Sequence, residues 1–119
     1  MIEAQEMDGI NGVEFVVDGR VTKNDFVVVA DMIDGVIDKY GSVRLLEVVK
    51  RIKGFELAAL WEDIKYVPRR LHRFSHVAVV ADERWMRGIA RVIGKVLPGT
   101  IRTFTLSEID EARNWLATA

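Results

Sequence analysis

His76-Val77-Ala78-Val79-Val80-Ala81 is an almost unbroken apolar run of strand length, rich in valine. Such a run lacks the polar alternation of a strand with one wet face. It reads as a central strand covered on both faces, the usual condition of strands in a parallel sheet. A sheet covered twice needs helices on both sides, so this stretch selects an α/β class.

Working outward, Val43-Arg44-Leu45-Leu46-Glu47-Val48-Val49 reads as the strand before it and Ile101 to Phe104 as the strand after it. Ile2 to Met7 and Val13-Glu14-Phe15-Val16-Val17-Asp18 flank Asp8-Gly9 and Asn11-Gly12, which supply turn chemistry for an antiparallel hairpin. Between hairpin and third strand, Thr22-Lys23-Asn24-Asp25 is a helix start. Thr22 accepts from first-turn amides and Asp25 faces the positive helix end. Phe26, Val29, Ile33, Val36, Ile37 and Tyr40 follow at helical spacing, Gly41 stops the helix, and Gly35 marks a weak spot or a close-packing point.

Leu57, Leu60, Trp61, Ile64, Val67 and Leu71 predict a second helix, bent or broken at Pro68. Asp82 is placed to cap a third, carrying Trp85, Ile89, Val92 and Val96 inward and closed by Pro98-Gly99. Ser107-Glu108-Ile109-Asp110 opens a final helix with Ala112, Trp115 and Leu116 inward. The expected order is ββαβαβαβα: a mixed, mostly parallel sheet of about five strands with four main helices, in one domain over residues 1–119.

A chain of 119 residues can bury roughly two thirds of its unfolded surface and hold itself together without staples. It has no cysteine, which excludes disulfides, thiolate metal sites and thiol nucleophiles. Half the residues are hydrophobic and 29% are charged, a globular balance. Charges interrupt every apolar run before it reaches membrane-spanning length. The opening Met1-Ile2-Glu3-Ala4-Gln5-Glu6 has neither basic start nor greasy centre, so a cytoplasmic location is expected. The net charge of −1 hides an asymmetry: residues 1–42 hold nine acids against three bases, and residues 43–105 thirteen bases against six acids. A pI near 6.1 argues against a dedicated nucleic-acid binder.

The chemistry-bearing residues do not converge by sequence. His72 and His76 are four apart, but the helix should end before His76, so no metal pair on one helix face is expected. Glu62 and Asp63 point about 100° apart on a helix and cannot share a proton. Lys53-Gly54-Phe55 lacks the spacing of a phosphate loop. The expectation is therefore no enzyme, no cofactor and no metal.

Two surfaces stand out. Arg84, Arg87, Arg91 and Lys95 fall along one face of the third helix, with Arg69, Arg70 and Arg73 nearby, whereas Asp31, Asp34 and Asp38 form an acidic stripe on the first. They read either as interaction surfaces or, more simply, as the solvated sides of amphipathic helices. Trp61, Trp85 and Trp115 occupy inward helix faces, so they pack the core or line a pocket. In a parallel sheet such a pocket belongs beyond the strands' carboxyl ends, at 50–56 and 81–85, where the amides after Asp82 offer an anion site.

Leu60-Trp61-Glu62-Asp63-Ile64-Lys65, Val77-Ala78-Val79-Val80-Ala81-Asp82-Glu83-Arg84-Trp85 and Ile101-Arg102-Thr103-Phe104 together resemble the SpoIIAA-like family, relatives of STAS domains. Glu108, Ala112 and Trp115-Leu116 fit its closing helix, and the likeness covers almost the whole chain. The resemblance implies an α/β sandwich, also of the kind seen in CRAL-TRIO lipid-binding domains, in a small bacterial or archaeal protein. In the namesake anti-anti-sigma factors a partner kinase phosphorylates a Ser at the start of the second helix. The corresponding loop, Lys50-Arg51-Ile52-Lys53-Gly54-Phe55-Glu56, has no Ser or Thr, so that switch is not carried over.

The expected function is a non-enzymatic, STAS-like regulatory module that binds a protein partner as a homodimer. The alternative is a small-molecule or lipid carrier, holding a small apolar or anionic ligand near the second and third helices. The residues assigned to binding are Phe55, Glu56, Trp61, His72, Asp82, Arg84, Trp85, Arg87 and Arg91. Neither nucleic acid nor a membrane span enters the expectation.

Overall fold

A computed structural model of the chain describes residues 2–19, 22–51, 72–82 and 99–119. Strands β1 (Ile2–Met7) and β2 (Gly12–Asp18) form the expected antiparallel hairpin, Ile2 opposite Val17 and Met7 opposite Gly12. Gly9, at φ 78°, supplies the left-handed turn residue. Strands β3 (Val43–Arg51), β4 (Phe74–Val80) and β5 (Thr100–Phe104) then add in parallel, giving a five-stranded mixed sheet in the order β1-β2-β3-β4-β5. The third strand runs two residues further than the sequence pattern indicated. The fourth starts two residues earlier, because the register slips between Val43 and Arg44 and lets Phe74 pair with Val43.

Helix α1 (Lys23–Tyr40) begins in a full capping box: the Thr22 hydroxyl accepts from the Asp25 amide at 3.2 Å, and the Asp25 carboxylate accepts from the Thr22 amide at 2.9 Å. It ends at Gly41, left-handed at φ 84°, whose amide returns to the Ile37 carbonyl. Val29, Ile33, Val36 and Ile37 are buried as the spacing requires. Tyr40 is not: it is 54% exposed, with Lys39 Nζ 5.2 Å from its ring centre, because the last turn rotates that position past the sheet. Gly35 is exposed, and a Cβ built on it meets nothing within 4 Å. It is a weak spot and not a packing point.

The second described helix, α2 (Ile109–Thr118), follows a short 3₁₀ turn at Leu106–Glu108. Its entry is set by Thr105 instead of Ser107. The Glu108 carboxylate accepts from the Thr105 amide at 2.8 Å and from its hydroxyl at 2.9 Å, so the reciprocal pair forms two residues earlier than expected. The second and third helices expected from sequence, over 57–71 and 85–96, lie outside the described residues.

The two helices cover opposite faces. Val13, Val43, Leu45, Val77 and Val79 pack with α1, while Leu46, Val48, Ala78, Val80 and Phe104 pack with Ala112 and Leu116 of α2. Neighbours Leu45 and Leu46 therefore enter different cores, since successive strand side chains alternate. That is why β3 and β4 read as continuous apolar runs. Leu116 and Ala78 are fully buried, a small residue beneath the helix where the backbone approaches. No helix among the described residues is long and apolar enough to cross a membrane.

Candidate functional site

Of the residues assigned from sequence, Phe55, Glu56, Trp61, Arg84, Trp85, Arg87 and Arg91 lie outside the described residues. His72 is exposed just before β4, and His76 sits within that strand, so the two histidines share no helix face. Asp82 is exposed at the end of β4, where its carboxylate accepts from the Leu106 amide at 3.1 Å. It thereby pins the turn after β5 to the carboxyl end of β4.

The α2 face carries the densest polar and aromatic chemistry among the described residues. Register aligns Arg44 with His76, and Ala78 with Arg102; alternation aims these polar side chains at α2. Arg44 donates through Nη1 to the Leu116 carbonyl, one of the four that a helix end leaves without internal partners. Its Nε is buried without a partner among the described residues. His76 lies edge-on to Trp115, ring centres 5.5 Å apart, and its Nδ1 is 3.0 Å from the Ser75 hydroxyl. Burial first, and the neighbouring Arg44 charge second, lower the His76 pKa below the ordinary imidazole value, which favours the neutral ring.

Arg102 completes this group from the edge strand. Its guanidinium carbon lies 5.0 Å from the Phe104 ring centre and 5.4 Å from that of Trp115. Both distances are within cation–π range. Arg102 is exposed, and no carboxylate among the described residues pairs with it; the ion pairs described on this face belong to Arg113. The result is a cation held over two aromatic rings and open to solvent.

On the opposite face, one row crosses all five strands: Ala4, Phe15, Glu47, Val79 and Thr103. Glu47 is half-buried at its centre. Burial pushes its carboxyl pKa up from 4.5 to about 7, with no hydrogen bond or charge from a described residue to offset it. Glu47 gives no motif signal because it stands alone in the sequence. Its phase was nevertheless visible, since residue 47 falls in step with Val43 and Leu45 and therefore on the inward face.

A family model for SpoIIAA-like proteins matches residues 13–117, nearly the whole chain. The chain belongs to the SpoIIAA-like family. The fold of this SpoIIAA-like protein is similar to that in the crystal structure of an uncharacterized DUF3478-family protein with a SpoIIAA-like fold from Shewanella loihica PV-4. The two share 19% identity over 98% of this chain and 92% of the other, with a TM-score of 0.70. No curated protein matches the chain.

Proposed function

We propose that this SpoIIAA-like chain is a non-enzymatic regulatory module that works by binding a protein partner. The observation that carries this reading is the exposed Arg102 lying on Phe104 and Trp115. Arginine and tryptophan are enriched at interface hot spots. An arginine already ordered by two rings also loses less conformational freedom when a partner docks. Family membership supports the reading at the level of fold. The loop at 50–56 has no Ser or Thr, so control of binding by phosphorylation in that loop is not proposed.

Affinity capture at low salt tests the proposal, with wild type compared against Arg102→Glu and against Asp31→Lys on the far face. A partner retained by wild type and Asp31→Lys but lost by Arg102→Glu is the expected result. Equal retention by all three would sink the assignment of this surface. Sedimentation velocity on the same samples reports whether the module acts as a homodimer.

A second reading, a small-molecule carrier, is favoured by Glu47, a half-buried carboxyl in an apolar row of the opposite face.

A further inference from the structure

The sheet contains two inward glutamates, one on each face, and they are treated differently. Glu14 is 7% exposed, and both its oxygens are occupied: Gln5 Nε2 donates at 2.9 Å and Arg113 Nε at 2.8 Å. A buried carboxylate so paired is a structural group. Glu47 also points inward but is only half-buried, with Phe15 beside it on β2 and Val79 beside it on β4. Among the described residues it has no such partners. Helix α1 presents Val29, Ile33, Val36 and Ile37 to that face. On β1, β2, β4 and β5, the ionisable side chain in phase with Glu47 is Glu6, exposed on the edge strand.

Fold stability gives no reason for this arrangement, since an unpartnered carboxyl costs free energy that a valine or leucine at the same place would not. Glu47 is also reachable, because part of its surface remains open. It lies at the midpoint of β3. Its aromatic neighbour, Phe15, is half-buried on the same face. A carboxylate beside an aromatic ring with aliphatic walls is a cation-recognising combination: the charge pairs with the carboxylate, the ring face tolerates it, and the walls take an apolar body.

We propose that Glu47 anchors a site on the α1 face of the sheet for a small organic cation, a primary ammonium carried on an apolar body. The site is independent of the protein-partner reading, because Glu47 and Arg102 point to opposite faces. The ammonium supplies the donors and the charge that no described residue gives Glu47. Anionic and neutral molecules of the same shape do not.

The test uses hexylamine, octylamine and 2-phenylethylamine as probes, with octanoate and octanol as controls, on wild type and Glu47→Gln. Proton–nitrogen correlation spectra at pH 7.5 should show saturable shifts of the Phe15, Glu47 and Val79 amides with at least one amine. Affinity should fall at least tenfold in Glu47→Gln, and the controls should leave those amides unmoved. Direct observation of the Glu47 carboxyl carbon gives a second readout, a titration midpoint that moves down when amine is bound. Equal amine binding by Glu47→Gln would show apolar partitioning only. That outcome overturns the proposal, as does the absence of any amine-induced shift in the Phe15–Glu47–Val79 row. Partner capture through Arg102 should be the same for wild type and Glu47→Gln, so either reading can fail alone.

Discussion

Arg113 Nε on α2 donates to Glu14 Oε1 on β2 at 2.8 Å, joining positions 99 apart in the chain. The arginine side chain is 44% exposed, whereas the glutamate side chain is 9% exposed. The energetic weight therefore lies with the carboxylate, which has left water and needs its donors. Gln5 on the edge strand holds its other oxygen. One buried acid thus ties the outermost strand, its neighbour and the C-terminal helix together.

Removing Arg113 should cost more than an ordinary surface ion pair. Arg113→Met leaves Glu14 short of one donor, and the expected loss is about 1–3 kcal/mol. Urea denaturation measures it. In Glu14→Gln the charge is gone, so adding Arg113→Met should cost clearly less than in wild type. An unchanged cost would mean that Arg113 acts only through its aliphatic stem.

Gly35→Ala should stabilise the protein by about 0.5–1 kcal/mol. The position is helical and exposed, and the added methyl meets nothing. Thermal melting should show a higher midpoint. A lower one would reveal a contact at that helix face.

Gly99→Ala should do the reverse. A Cβ there would lie 2.3 Å from the Phe74 carbonyl oxygen and 2.7 Å from that of Ser75, inside contact distance with backbone that cannot swing away. A loss of about 1–3 kcal/mol or more is expected. Amide exchange at the start of β4 should quicken if the strand has moved to make room.

Two groups set opposing pH dependences near neutrality. Glu47 binds its proton more tightly folded than unfolded, its pKa rising from 4.5 to about 7. Its contribution is therefore greatest at low pH and declines as pH rises across that interval, by at most roughly 3 kcal/mol. His76 has a depressed folded pKa, so its contribution is present above 6.5 and is lost as pH falls. Stability curves of Glu47→Gln should lose the decline between pH 5 and 7.5, and the variant should exceed wild type at pH 8. Stability of His76→Gln should drop less than wild type on acidification. A Glu47→Gln curve parallel to wild type would remove Glu47 as the titrating group.

Much of this fold was legible in the chain because its signals are local. Thr22 with Asp25 and Gly41 frame α1 through backbone chemistry acting over a few residues. The run at 76–81 declared a strand covered on both faces, and β4 lies between β3 and β5 with a core on either side. Tyr40 and Gly35 were less readable, since helical spacing gives a direction around the axis but not where the sheet beneath ends.

The candidate site was hardly legible at all. Alternation in Val43-Arg44-Leu45-Leu46-Glu47 assigned each side chain a face, which placed Glu47 and Leu45 together. It could not say that Phe15 and Val79 would flank Glu47, because register between strands is fixed by pairing across distant parts of the chain. Nor could it say that Glu14 would meet Arg113 while Glu47 met no hydrogen-bond or charge partner among the described residues. Sequence alone determined which residues enter the sheet and which way they point, a matter of local backbone geometry. Tertiary structure decided which of those inward charges is neutralised, because donors and acceptors are matched only when separate elements close over one another.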